Sequence, residues 1–202
     1  MSRYTGPKAR VNRRFNCEIF PSCKAVERKP YFPGIHGPRL RRKVSEYGVG
    51  LNEKQKLRYM YGLTERQFRL IFNAAKSQRG VTSELFMRFL EMRLDSVVYL
   101  LGFARTRRAA RQLVCHGHVV VNGLKVDIPS YRCSIGNVIG ARNHNASKKY
   151  VTQSLEDCRY RVVPTWLTLD SVALKGKVER EPVAEELEQR INGQLIVEFY
   201  SR

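Results

Sequence analysis

Apolar and polar positions alternate along this chain with two different periods, and the change of period falls within residues 93–141. Ala109, Ala110, Leu113 and Val114 share one side of a 3.6-residue helix, while Arg107, Arg108 and Arg111 share the other. Thr106 offers a capping oxygen at the start, and Gly117 supplies the stop after Cys115. The period then drops to two. His118-Val119-Val120-Val121 and Leu124-Lys125-Val126 flank Asn122-Gly123, and Asn-Gly between β-branched or apolar runs specifies a tight hairpin. Upstream, Asn52 caps a predicted helix that runs through Tyr61 and closes at Gly62. Thr64 and Gln67 form a capping box for a second helix, with Phe68, Ile71, Phe72 and Ala75 at helical spacing and Gly80 beyond it. A third starts near Thr82 and carries Leu85, Phe86, Phe89 and Leu90 on one face, so these three helices can pack as a small bundle. A further helix over residues 96–101 leads toward the hairpin. Met60, Met87 and Met92 read as core filler.

Beyond the hairpin, Pro129-Ser130 turns the chain, Tyr131-Arg132-Cys133 reads as a strand, and Val138-Ile139-Gly140 reads as another. Residues 143–149 are polar and read as a loop. Trp166-Leu167-Thr168-Leu169 alternates as a strand. Residues 195–200 are apolar, and their run is too short for periodicity to separate strand from helix.

Charge changes the picture. In 202 residues, 37 Lys and Arg face 18 Asp and Glu, leaving +19 and a pI near 10.2, while 43% apolar content is ordinary for a globular chain. Such an excess points to a polyanion, and to nucleic acid before membrane, because no amphipathic anchor accompanies it. No apolar run is long enough to span a bilayer, and the first seven residues lack the apolar core of a secretory signal, so an intracellular chain is expected. The helix of Arg107, Arg108 and Arg111 lies in a stretch with no carboxylate between Gly102 and Lys125. These guanidiniums are therefore expected to meet phosphates and not an internal partner.

The first 62 residues hold 15 Lys and Arg against four Glu and no Asp, which is +11 of the total. Their opening half is rich in Pro and Gly and cannot build a long helix, so a partner surface must order it. Tyr4, Phe15, Tyr31 and Phe32 are interleaved with cations, giving flat faces for stacking beside charges for phosphate. Arg39, Arg41, Arg42 and Lys43 form the densest cationic run. Residues 179–188 reverse the sign with Glu179, Glu181, Glu185, Glu186 and Glu188, a stretch suited to protein or to intramolecular cations. Five cysteines lack disulfide-framework spacing. Cys17 and Cys23 are the only near pair, and with His36 the only extra ligand nearby, no metal or other cofactor is expected.

Read in order, Arg3-Tyr4-Thr5-Gly6-Pro7, Ser45-Glu46-Tyr47-Gly48, Glu53-Lys54-Gln55-Lys56-Leu57, Glu65-Arg66-Gln67-Phe68, Arg93-Leu94-Asp95, Val121-Asn122-Gly123, Trp166-Leu167 and the ending at residues 195–202 carry a resemblance. The chain resembles the bacterial-type small-subunit ribosomal protein four family along nearly its whole length, and residues 106–126 resemble that family's alpha-L RNA-binding motif. The resemblance implies an α+β fold. A mostly helical domain is formed by the N-terminal part and the C-terminal end, with a β-rich alpha-L domain inserted. It implies a basic arm at 1–50, a first helical part at 51–92, the alpha-L domain at 93–160 and a C-terminal return at 161–202.

The resemblance further implies a structural protein of the small subunit that binds ribosomal RNA near its 5′ end early in assembly. The RNA contacts expected in the arm are Arg3, Tyr4, Arg13 and Arg14; in the helical part, Lys54, Lys56, Arg58, Arg66 and Arg69. In the alpha-L domain they are Arg105, Thr106, Arg107, Arg108, Arg111 and Gln112, followed by His116, His118, Asn122 and Lys125. Arg39, Arg41, Arg42 and Lys43 would line the messenger RNA entry channel, and the later part would contact ribosomal protein five of the same subunit in support of decoding accuracy. The implied location is the ribosome, in the cytoplasm of a bacterium or in an organelle of bacterial descent. Many family members carry four N-terminal zinc-binding cysteines. Here Ala9 and Asn12 stand where the first two would be.

Enzymes resembling pseudouridine synthases, RNA methyltransferases and tyrosyl-tRNA synthetases also carry alpha-L motifs. They need a separate catalytic domain, and after Ala141 too few residues remain for one. No G-x-G-x-x-G, P-loop or triad-like set occurs, and Asp95, Asp127, Asp157 and Asp170 are scattered. A free-standing alpha-L module would lack the basic arm before Gly62.

Overall fold

The computed structural model describes residues 4–21, 25–39, 44–188 and 190–201. In chain order these form α1 (Lys8–Phe15), α2 (Ala25–Arg28), α3 (Glu46–Tyr61), α4 (Glu65–Lys76), α5 (Thr82–Glu91), α6 (Leu94–Leu100) and α7 (Arg107–Cys115). There follow β1 (Val119–Val121), β2 (Leu124–Lys125), β3 (Val138–Ala141), α8 (Asn145–Asp157), β4 (Leu167–Asp170), β5 (Lys175–Val178) and α9 (Gly193–Ser201). The fold is α+β. The chain divides into two compact units, Met1–Ser83 with Arg190–Arg202, and Glu84–Gln189. Among the described residues, no helix is long and apolar enough to cross a membrane.

In the first unit, α3 begins at Glu46 and not after Asn52. Ser45 caps it, its Oγ accepting from the Gly48 N–H at 3.3 Å, and Gly62 closes it at φ +64°. Glycines at 48 and 50 argued against helix by propensity, but α9 packs on α3, and Gly50 is where the two backbones meet. A Cβ on Gly50 would lie 3.3 Å from the Leu195 carbonyl oxygen and 3.4 Å from Phe199 Cβ. Contact with α9 outweighs the local preference, and it also resolves the apolar run 195–200 as helix, with Ile196 fully buried. α4 is capped by Thr64, whose Oγ1 accepts from Gln67, and it buries Phe68, Phe72 and Ala75 as expected. The Tyr200 ring lies 4.6 Å from that of Phe72. The helix packed along α3 is α9, and α5 from Glu84 onward belongs to the second unit.

The second unit is built on an antiparallel sheet of strand order β2-β1-β3-β5-β4. Its hairpin turn has Asn122 at φ +51° and Gly123 at φ +84°, the positive pair that a two-residue turn between twisted strands requires. On the inner face, Val119, Val121, Ile139 and Val178 meet Leu94, Val97, Val98 and Leu101 with Ala110, Leu113 and Val114 of α7; Trp166 is 1% exposed in the same core.

The structure departs from the expected elements at three places. Tyr131-Arg132-Cys133 forms only an isolated bridge, Arg132 opposite Arg93. Residues 145–149, read as loop, open α8, which turns Ser147, Val151 and Ser154 inward. Two of those three are polar, so the helical stripe left no hydrophobic trace; Ser154 Oγ is satisfied by the Gly102 carbonyl at 3.1 Å. Strand β5, Lys-Gly-Lys-Val, has no counterpart among the expected elements, since a glycine between two lysines carries little apolar alternation. Gly176 faces the core there, where a Cβ would overlap the Leu101 side chain.

Candidate nucleic-acid interface

α7 forms as its sequence dictates: Thr106 Oγ1 accepts from the Ala109 N–H at 3.1 Å, and the apolar side is buried. Its cationic side is used differently from expectation. Arg107 Nη2 lies 3.3 Å from Glu91 Oε1, and Arg111 Nη1 lies 3.3 Å from Asp95 Oδ2. The four side chains are 14%, 7%, 16% and 6% exposed, so these are largely desolvated pairs. Asp95 is also closed by Arg93 through two bonds, Nε to Oδ1 at 3.0 Å and Nη2 to Oδ2 at 2.7 Å. The carboxylates that the stretch 102–125 lacks arrive from α5 and α6. Arg107 and Arg111 thus tie α7 to its neighbours, with the Arg107 guanidinium also 4.7 Å from the Tyr99 ring centre, while Arg108 is half-buried.

Several expected contacts of the first unit are likewise engaged inside it. Lys54 is buried and donates to Glu65 at 2.8 Å beside the Phe199 ring. Lys56 donates to the Arg190 carbonyl at 2.6 Å, and Arg58 to Gln55 at 2.8 Å. Arg13 holds the arm together, donating to the carbonyls of Lys29, Tyr31 and Phe32, each at 3.2 Å. Tyr4 packs against Phe20 and Tyr59. Arg14, Arg66 and Arg69 are exposed, and so is Arg39. Arg3, Arg41, Arg42, Lys43 and Cys23 lie outside the described residues.

Asn12 is fully buried. Its amide donates to the Phe20 carbonyl at 2.9 Å and accepts from the Phe20 N–H at 3.0 Å. A carboxamide committed in both directions to backbone does not fit a thiolate metal site, and no group of three His, Cys, Asp or Glu among the described residues is arranged around a cation.

In the second unit, Arg105 is exposed with Asp157 at 3.6 Å, and Gln112, His116 and Lys125 are exposed. Asn122 serves the turn: its Oδ1 accepts from the Val138 N–H at 2.8 Å. The His116 and His118 rings are 6.1 Å apart, and His118 Nδ1 is 2.9 Å from Ser147 Oγ. Three exposed residues that sequence reasoning passed over, Arg142, His144 and Lys148, join this end of the sheet, the Arg142 N–H bonding the His118 carbonyl at 2.8 Å. Their signal was present as basic residues, His144 and Lys148 within the stretch 143–149 read as a loop and Arg142 just before it. The acidic stretch meets intramolecular cations: Arg88 with Glu181 at 2.7 Å, Lys177 with Glu179 at 3.0 Å, and Arg180 with Glu186 at 2.6 Å. The Arg180 guanidinium holds the Glu186 carboxyl down at about 2.

Residues 3–91 match the family model described as ribosomal protein S4/S9 N-terminal domain, and residues 92–139 match that of the S4 domain. The chain is 60% identical over 202 residues to the small ribosomal subunit protein uS4 of Opitutus terrae. It is 53% identical over 202 residues to the protein of that name from Listeria monocytogenes serovar 1/2a, and 51% identical over 203 residues to that of Akkermansia muciniphila. Each alignment covers the whole of both chains.

Proposed function

Because the chain belongs to the uS4 family, whose members are structural and not catalytic constituents of the small ribosomal subunit, we propose that it is a primary binder of small-subunit ribosomal RNA that nucleates assembly near the RNA's 5′ region. The observation that carries this reading is the +19 charge, much of it on exposed cations of both units. A protein in that state is stable at neutral pH only beside a polyanion or at the expense of self-repulsion. Arg39, with Arg41, Arg42 and Lys43, lines the path of messenger RNA into the subunit. The segment around Glu179, Glu181 and Glu186, whose charges are already balanced within the chain, meets ribosomal protein five and through it supports decoding accuracy.

The test titrates the full chain with a 5′ fragment of small-subunit ribosomal RNA over a salt series, beside an unrelated RNA of equal length. The reading requires a linear fall of log affinity with log salt, together with a preference for the ribosomal fragment of roughly a thousandfold or more. Equal affinity for both RNAs overturns it.

A further inference from the structure

With Arg107 and Arg111 closed on Glu91 and Asp95, the unit needs its phosphate grip elsewhere. We infer that the junction between α7 and β1, together with the start of α8, forms a single phosphate-binding corner for RNA, built from His116, Lys125, Arg142, His144 and Lys148. This rests on the RNA-binding reading above and moves its centre from the first turn of α7 to the opposite end of that helix.

Four elements meet at the corner. The Arg142 N–H bonds the His118 carbonyl at 2.8 Å, the His144 N–H bonds the Arg142 carbonyl at 2.7 Å, and the Lys148 N–H bonds the His144 carbonyl at 3.0 Å. The contact between His118 and Ser147 pins α8 to the start of β1. Lys125 reaches the same place from β2 by lying across Gly117. That residue is at φ +70°, and a Cβ on it would collide with the lysine stem and sit 3.0 Å from Nζ. Across residues 116–149 there are five Lys and Arg but one carboxylate, Asp127, and three of the chain's four histidines. Among the described residues, Lys125, Arg142 and Lys148 have no carboxylate within 4 Å, in contrast to Arg107 and Arg111. Exposed cations concentrated this way, with rotatable ammonium groups and imidazoles, suit the non-bridging oxygens of successive phosphates.

The experiment compares the full chain with Arg142→Gln/Lys148→Gln and with Lys76→Gln/Arg79→Gln. The latter removes the same charge from exposed positions of α4 and the turn after it. Emission of the single tryptophan, Trp166, verifies that each variant is folded. The corner predicts that the first pair weakens binding to the 5′ ribosomal RNA fragment roughly ten- to thirtyfold and lowers the salt slope by about two, while the control pair moves neither comparably. Arg142→Lys/Lys148→Arg should retain the slope, and Gly117→Ala should lower it by displacing Lys125. Equal effects of the two Gln pairs, or an unchanged slope, overturn the corner. So does loss of polyglutamate binding with RNA affinity intact, which would mark an acidic protein as the occupant. Failure of the unmodified chain to prefer ribosomal RNA defeats the underlying reading instead and is seen before any variant is made.

Discussion

Replacing Asp95 by alanine removes the carboxylate on which two arginines close. Asp95 is 4% exposed; it takes both bonds of the Arg93 fork, at 3.0 and 2.7 Å, and one from Arg111 at 3.3 Å. The Arg93 side chain is itself only 5% exposed, so the variant leaves a guanidinium in the interior with its charge uncompensated. Breaking a buried pair in this way costs about 3–5 kcal/mol. Against a total stability of roughly 5–15 kcal/mol, that is a large part of what holds the second unit folded. Removing the other arm, Arg111→Ala, leaves Asp95 doubly bonded to Arg93 and should cost only about 1–2 kcal/mol. Trp166, 1% exposed in the same core, reports directly on this unit, so urea unfolding followed by its fluorescence measures both variants. A loss below about 1 kcal/mol for Asp95→Ala, or a larger loss for Arg111→Ala than for Asp95→Ala, would refute the assignment of this ion cluster as the tie between α6 and α7.

Acid should weaken the segment around Glu186. Its carboxyl is depressed to about 2 by the Arg180 guanidinium, so the stabilisation is complete above the ordinary carboxylate range near 4.5 and is lost as pH falls from there to about 2. Arg180→Gln should diminish that part of the pH dependence in thermal unfolding, the bonds from Thr165 and the Val183 N–H remaining, and an unaltered profile would argue against the pair. Asn12→Ala should leave the Phe20 N–H and carbonyl without partners, loosening the arm by about 1–3 kcal/mol; faster hydrogen exchange at the Phe20 amide is the readout, and an unchanged rate contradicts the clasp. Asn122→Ala should cost about 1–2 kcal/mol by removing the bond to Val138 and with it the local side-chain bonding that lets asparagine, unlike alanine, sit at positive φ, measured again through Trp166. A neutral result would mean that the turn does not set the hairpin's register.

Local signals sufficed where all the determinants sit within a few residues. Thr106, the apolar stripe of α7 and Asn122-Gly123 specify a capped helix and a hairpin without reference to anything distant. The same reasoning failed at α3, α8 and β5 for one shared reason. Gly50 is helical because α9 lies on it, Ser147 and Ser154 are inward because polar partners await them, and Gly176 is in a strand because Leu101 occupies the space of its side chain. None of those partners is near in sequence. At the candidate site, the sign of the charge was legible but its disposition was not. The stretch 102–125 truly lacks carboxylates, yet Glu91 and Asp95 reach Arg107 and Arg111 across the fold.

The amino-acid order on its own thus determined that this chain is cationic, that it contains a short arginine helix joined to a ribbon, and that its parts recur in a ribosomal family, because composition, capping and turn chemistry act over a few residues. Only the tertiary structure decided which cations are spent on internal carboxylates and which are left facing solvent around His116, Lys125 and Arg142. An ion pair depends on distance and desolvation through space, and neither quantity is written along the chain.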